Sequence, residues 1–300
     1  MQMTSLLILA IFLFFDISIQ AQPRPVPEGT IVHRDLEYVP NGHERHRLDL
    51  YLPPNARNAP LIILIHGGAF RAGSKDRENA TRFLLEGYAV AAINYRLSQH
   101  AIFPAQIEDC KAAVRWLRAK AAKYGYDPDR FGAVGSSAGG HLVAMLGTAG
   151  GAKKFEVGEN LSVSSRVQAV VDNFGPTDFL QMDDHRLPNG QIHNTPNSPE
   201  SELIGGNLQD NKAKARQANP ITYVGKDCPP FLVIHGDSDP LVPHHQSELL
   251  VTALKQAGAD VTFYTVKGGG HGRFNDPKVD EMTSAFLARH LKKNTTQEKK

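Results

Sequence analysis

Five consecutive apolar residues, Leu61-Ile62-Ile63-Leu64-Ile65, give way at once to His66-Gly67-Gly68. A strand wetted on one side alternates apolar and polar side chains, so an unbroken apolar run needs cover on both faces. Tyr88–Tyr95, Phe131–Val134, Val167–Asn173, Phe231–Ile234 and Val261–Val266 read as further strands, and helical patterns separate them. The clearest helix places Ile107, Cys110, Val114, Leu117 and Ala121 along one face, in steps of 3, 4, 3 and 4 residues. Lys75–Glu86, Ala138–Leu146, Gln246–Gln256 and Asp280–Leu291 are the other helical stretches. Ile31–Val39 and His46–Leu52, on either side of Asn41-Gly42, read as an opening antiparallel pair. The alternation predicts the α/β class, with a mostly parallel eight-stranded sheet flanked by helices.

Residues 22–300 are expected to form a single domain. Pro176 to Thr222 breaks the alternation with five prolines' worth of turns and only short helical pieces near Glu200–Ile204 and Asn211–Gln217. It has too few apolar residues for its own core and reads as an insertion over the sheet. Leu6 to Phe15 is apolar but shorter than the roughly 20 residues a bilayer needs. Residues 1–21 therefore read as an export signal ending at Ala21, although no Lys or Arg precedes the apolar run. That reading implies a secreted or periplasmic protein with no stable membrane span after signal removal. Lys+Arg 33 against Asp+Glu 31 leaves a charge of +2, which excludes an electrostatic nucleic-acid binder. Cys110 and Cys228 are too few for a disulfide scaffold and are expected as two buried free thiols, at opposite ends of the sheet. Asn79, Asn160 and Asn294 open glycosylation sequons, which matter only in a eukaryotic secretory host.

Gly135-Ser136-Ser137-Ala138-Gly139 matches G-x-S-x-G between a predicted strand and a predicted helix. Small residues there let the chain turn so sharply that the Ser137 hydroxyl stands above the sheet. The His66-Gly67-Gly68-Ala69-Phe70 loop follows another strand, and its Gly67 and Gly68 N–H groups, with that of Ala138, could hold an oxyanion. His66 itself is expected to make a structural hydrogen bond. A serine needs a base, and His271 in Gly268-Gly269-Gly270-His271-Gly272 is the best placed of 13 histidines. His141 reads as a packed helix residue, and His244-His245 as part of a rim. Asp239 is the acid chosen to orient His271, Asp237 a partner for its own loop, and Asp178 the rival acid. The chain order Ser137, Asp239, His271 and the strand ends that carry them predict convergence at one sheet edge. No spacing suggests a metal, and no cofactor is expected. Phe70, Phe103, Phe174 and Phe179 lie near that edge, and the first three are candidate substrate contacts.

The chain resembles the α/β-hydrolase esterases and lipases, close to the hormone-sensitive-lipase-like and BD-FAE-like (bifunctional carbohydrate and feruloyl esterase) groups. The resemblance runs from about Ile31 to Leu291. It is carried by His66 to Phe70 with Gly73-Ser74-Lys75, Asn94-Tyr95-Arg96-Leu97, Phe103-Pro104-Ala105, Gly135 to His141, His235 to Asp239 and Gly270-His271-Gly272. Ala69 stands where lipase-type loops have a third glycine, a variant found in the carbohydrate-esterase branch. The resemblance implies an α/β-hydrolase fold with an insert covering the catalytic edge, and a serine carboxylesterase acting on acetyl or feruloyl esters of carbohydrate, or on small phenolic and short-chain esters. Its partners would be small-molecule or polysaccharide esters. A peptidase or amidase of the prolyl-oligopeptidase type shares the Gly-Asp-x-Asp and Gly-His-Gly segments, but a propeller-sized N-terminal domain is missing. An inactive hydrolase fold used for binding would usually have lost one of the three residues.

Overall fold

The computed structural model describes residues 25–54, 57–272 and 274–292. The segment read as an export signal, the tail beyond Lys292 and the Asn294 sequon lie outside the described residues. Among the described residues eight strands form one sheet: β1 (Ile31–Glu37), β2 (Arg47–Leu52), β3 (Ala59–Ile65), β4 (Ala89–Ile93), β5 (Tyr126–Ser136), β6 (Ala169–Asn173), β7 (Phe231–Gly236) and β8 (Val261–Val266). Their spatial order is β1-β2-β4-β3-β5-β6-β7-β8. β2 is antiparallel to both neighbours, and every other pairing is parallel. This is the α/β architecture expected from the alternation. The helices are α1 (Thr81–Leu85), α2 (Ala105–Tyr124), α3 (Ala138–Thr148), α4 (Pro199–Ile204), α5 (Lys212–Ala218), α6 (His245–Gln256) and α7 (Pro277–Leu291).

Every residue of β3 is buried, as an unbroken apolar run requires. Leu61, Ile63 and Ile65 point to one face, where Ile107, Cys110, Leu142 and Leu250 of α2, α3 and α6 pack. Ile62 and Leu64 point to the other, against Phe83, Leu84, Phe286 and Leu287 of α1 and α7. The period of two along a strand thus divides one sequence run between two cores. The insertion has no separate core, because Leu203, Ile204, Ala215 and Ala218 of α4 and α5 join the first.

The helix expected over Lys75–Glu86 is not continuous. A 3-10 turn at Lys75–Arg77 is followed by α1. The Lys75 ammonium points inward instead of to solvent, 2.8 Å from Asp49 and 2.9 Å from Asp35. Its backbone N–H donates to Asn94 Oδ1 at 2.7 Å. Burial disfavours the ammonium, but the bonds to Asp49 and Asp35 outweigh it and hold Lys75 above the usual lysine range. Cys110 and Cys228 are free thiols; Cys110 is buried, whereas Cys228 is only half-buried because it lies in the loop before β7.

Parallel register brings the strand ends to one edge. Ile65 pairs with Gly135, Ser136 with Asn173, Asn173 with Ile234, and Gly236 with Val266. The packing of α3 on this edge depends on Gly139, where a Cβ would lie 2.0 Å from the Ile65 carbonyl oxygen. Gly139→Ala is expected to cost about 3 kcal/mol or more of stability, since neither backbone can yield cheaply. Urea unfolding checks this, and an unchanged midpoint would mean that α3 can move away.

Candidate active site

Ser137 joins β5 to α3 with φ 57° and ψ −121°, a region that non-glycine residues rarely occupy. Two bonds hold the turn: Ser137 N–H donates to the Asn173 carbonyl at 2.9 Å, and the Ser137 carbonyl accepts the His141 N–H at 2.9 Å. Gly135 permits it, because a Cβ there would lie 2.3 Å from the Gly139 carbonyl oxygen.

His271 Nε2 lies 2.9 Å from Ser137 Oγ, and His271 Nδ1 lies 2.7 Å from Asp239 Oδ2. A carboxylate only accepts, so the Nδ1 proton points at Asp239 and the Nε2 lone pair faces the serine hydroxyl. Asp239 is 2% exposed. Its Oδ1 accepts the N–H groups of Leu241 and Val242 at 2.8 and 2.9 Å. Burial pushes its carboxyl up, but bonds from His235, His271 and the Val242 N–H overcome that and hold it well below the usual carboxylate range. The carboxylate is therefore ionised wherever the protein is folded at ordinary pH. The Phe174 ring stands edge-on to His271, 4.7 Å between centroids, and walls one side of the imidazole.

Ala138 is the first residue of α3, and a first-turn N–H has no acceptor within its own helix. Gly67 lies against the serine turn, where a Cβ would be 2.7 Å from the Ser136 carbonyl oxygen and 3.4 Å from Ser137 Cβ. Gly68 has φ +115°, with no room for a side chain beside the Ala72 carbonyl. His66 braces this loop. Arg45 can only donate, so its bond to Nε2 at 3.1 Å fixes the proton on Nδ1, which donates to the Gly67 carbonyl at 2.7 Å. Burial lowers the His66 pKa to about 4, so the ring is neutral.

The other expectations divide. His141 is a packed helix residue whose Nδ1 lies 2.9 Å from the Pro176 carbonyl; burial lowers its pKa to about 4. Asp237 accepts the Gly268 N–H at 2.7 Å and ties its loop to the one carrying His271. Asp178 is engaged elsewhere, accepting from Leu180 N–H, Gln181 Nε2 and Asn219 Nδ2 within the insertion. His244 lies 3.0 Å from Thr265 Oγ1, and His245 stacks on His185 at 3.5 Å. Phe70 is not a substrate contact: it is 1% exposed, edge-on to His141 and Phe179, because the turn at Ala69 and Phe70 drives the ring into the core. Phe103 is half-buried against Phe155, and its N–H donates to the Leu203 carbonyl of α4 at 2.7 Å, so it anchors the insertion.

Three residues have no role assigned from the sequence. His235 stands there only in a segment that carries the resemblance, yet it is fully buried beside Asp239. Asp172 at the end of β6 is fully buried under the turn; burial raises its carboxyl to about 7 against the bond from the Gly175 N–H at 2.9 Å. His193 of the insertion reaches Glu200 Oε2 and the Leu241 carbonyl, each at 2.9 Å. Among the described residues one group could hold a metal ion, His43, Glu44 and His100, with ligand atoms within 4.8 Å of one another. Both imidazole Nδ1 atoms there accept a backbone N–H, from Arg45 and Leu97 at 3.2 Å. A metal-bound imidazole instead turns its other N–H toward an acceptor, so these rings are not set for one.

The BD-FAE family profile matches residues 48–254, more than half of the chain and all of the strands around Ser137. The chain belongs to the BD-FAE family. A truncated carbohydrate esterase from gut microbiota superposes on it with a TM-score of 0.78 at 38% identity, covering 88% of this chain and 97% of that one. A bifunctional GH43-CE protein of Bacteroides eggerthii gives 0.79 at 40% identity, covering 86% of this chain and 38% of that one. Esterase LipQ of Mycobacterium tuberculosis is 33% identical over 84% of the BD-FAE chain and 61% of its own length. The chain spans 53 to 61% of the length of this relative and of LipM and LipC from the same organism. Among the described residues no helix is long and apolar enough to cross a membrane.

The His193 contacts give this BD-FAE protein one pH-dependent contribution to its stability. Both ring nitrogens face acceptors, so both can donate only when the ring is charged. Burial opposes the charge, but the Glu200 bond overcomes it and raises the pKa above the ordinary histidine value. The folded value exceeds the unfolded one, so the contribution is complete below about pH 6.5 and is lost as pH rises through the raised value. Wild type is expected to lose its stability advantage over His193→Gln across that window. Urea midpoints of both proteins against pH test it; a constant difference would mean that the ring is not charged.

Proposed function

We propose that the protein is a serine carboxylesterase working through Ser137, His271 and Asp239. The observation that carries this reading is the hydrogen-bonded chain from Asp239 through His271 to a serine on a strained strand-to-helix turn. As Ser137 Oγ attacks an ester carbonyl, His271 Nε2 takes its proton. Asp239 keeps the imidazole in the needed tautomer and stabilises the imidazolium. The N–H groups of Gly67, Gly68 and Ala138 donate to the oxyanion, each worth about 3–4 kcal/mol at the transition state. His271 then protonates the leaving alcohol, and the same ring activates the water that cleaves the acyl-enzyme. None of these steps calls on a cofactor. Ser137→Ala is expected to lower turnover of a small aryl acetate by about 10⁶-fold, as in other serine hydrolases. A variant that keeps most of its activity would refute the assignment.

The substrates in this reading are acetyl or feruloyl esters of carbohydrate, or small phenolic and short-chain esters. Support comes from the family, from the 38% identity to a carbohydrate esterase and from the insertion. Arg71, next to the Gly67-Gly68 loop, reaches Glu202 at 2.6 Å and also bonds the Asn197 carbonyl. On the other side Gln191 N–H donates to the Pro240 carbonyl at 2.8 Å. That bond brings the exposed Ile192 and Leu241 to neighbouring positions beside Asp239. The insertion thus spans from one side of the serine to the other and sets the space for the acyl or alcohol group. With residues 1–21 read as an export signal, the enzyme acts outside the cytoplasm, where polymer esters are met. Ile192→Ala, which leaves His193 and its contacts in place, is expected to change the ratio of feruloyl to acetyl hydrolysis more than it changes aryl-acetate turnover. Equal losses on all three substrates would remove the insertion from specificity.

A further inference from the structure

His235, the last residue but one of β7, is fully buried, with a polar partner on each ring nitrogen. Its Nε2 lies 3.1 Å from Asp239 Oδ2 and 3.0 Å from the Val242 carbonyl. Its Nδ1 lies 2.7 Å from Ser247 Oγ on α6. Two acceptors at Nε2 require a proton there. A neutral ring then has only a lone pair at Nδ1, and the Ser247 hydroxyl must donate to it. The same carboxylate oxygen thus receives two imidazole N–H groups, from His271 at 2.7 Å and from His235 at 3.1 Å. Nothing in the proposed acyl transfer uses the second.

We propose that His235 is a positioning residue for the triad acid: locked as the Nε2–H tautomer by Ser247, it aims Asp239 Oδ2 at His271 and shares its negative charge. This inference rests on the triad reading and deepens it. A carboxylate that accepts a second N–H is a weaker acceptor toward the first. His235 therefore limits how strongly Asp239 stabilises the His271 imidazolium. The shared bond to the Val242 carbonyl holds the loop that supplies two backbone donors to Oδ1. Other titratable groups face this pair from further away. His244, just before α6, has its ring 5.5 Å from that of His235 and pairs with Glu248 at 3.4 Å. The Asp237–Lys267 pair lies beyond it at the surface. On the neighbouring strand Asp172 of β6 lies on the same face, and Phe174, just after β6, places an uncharged ring 6.3 Å away.

The test compares wild type, His235→Leu, His235→Gln and Ser247→Ala on an aryl acetate, with kcat and KM measured from pH 5 to 9. Stoichiometric fluorophosphonate labelling counts folded active sites. His235→Leu, with no N–H, is expected to lower kcat by about tenfold or more with KM within about twofold, because only the transition state feels the acid's aim. Its acid limb should move up by about half a pH unit or more, as Asp239 turns its whole charge on His271. Glutamine can place an N–H near the position of Nε2, so His235→Gln should restore the wild-type acid limb. Ser247→Ala weakens the Nε2–H donor and should shift the limb the same way by a smaller amount; it carries the test should the leucine variant not fold. The proposal is overturned if folded His235→Leu keeps the wild-type rate and limb, if Leu and Gln variants lose rate alike with the limb unmoved, or if Ser247→Ala leaves the limb unchanged where the leucine variant does not fold. A Ser137→Ala protein that turns over would instead overturn the triad reading itself.

Discussion

The backbone approach between β3 and α3 is the constraint on which the site depends. The Ile65 carbonyl and Gly139 are too close for even one methyl group. That contact pins the start of α3 against the end of β3, and the chain between β5 and α3 must turn within one residue. Ser137 absorbs the turn at φ 57°, a conformation of the sort that costs about 1–3 kcal/mol and persists only where surrounding packing over-determines it. The same approach places the Gly67 loop beside Ser137 and leaves the Ala138 N–H at the head of a helix. The strained serine and the backbone donors are thus consequences of one close contact, supported by two cores on opposite faces of β3.

Much of this was legible in the sequence, for a physical reason. Hydrophobic period and glycine position report the backbone, and the backbone fixes where strands end. The alternation of runs gave the sheet. The glycines of 135–139 marked the turn, and Ser137, Asp239 and His271 all follow strand ends that parallel register brings together. What stayed hidden were polar groups whose partners lie far away in the chain. Lys75 looks like a solvent-facing helix residue until Asp49 and Asp35 are seen to take its ammonium. His235 lies on a strand already fully apolar around it, so no period distinguishes a packed histidine from one that touches the acid. Phe70 was misplaced for the converse reason: a loop position near the catalytic edge suggests exposure, but the positive φ of Ala69 and Phe70 turns the ring inward.

Burial makes the acid side of the site costly unless every polar atom is matched. Asp239 is buried and ionised, which would be prohibitive for an isolated carboxylate. Four donors remove the penalty: two backbone N–H groups on one oxygen and two imidazoles on the other. Asp172 shows the opposite outcome one strand away. It has a single backbone donor and is raised to about 7, so the same residue type titrates near neutrality when its partners are few. The contrast sets the Asp239 loop apart as the place where the fold invests its hydrogen-bond donors.

That loop is held by two histidines whose environments differ. His235 lies inside the sheet, fully buried beside the carboxylate oxygen that His271 also bonds. The Ser247 hydroxyl at Nδ1 leaves the ring's Nε2–H for Asp239. His193 comes from the insertion and must satisfy acceptors on both sides, which only the imidazolium does; Glu200 supplies the balancing charge. The Leu241–Val242 peptide connects the two, giving its N–H to Asp239 and its carbonyl to His193. Displacing the insertion therefore disturbs the peptide that orients the acid. A segment that looks in the sequence like a cover over the site is, through one peptide group, part of the support for its charge.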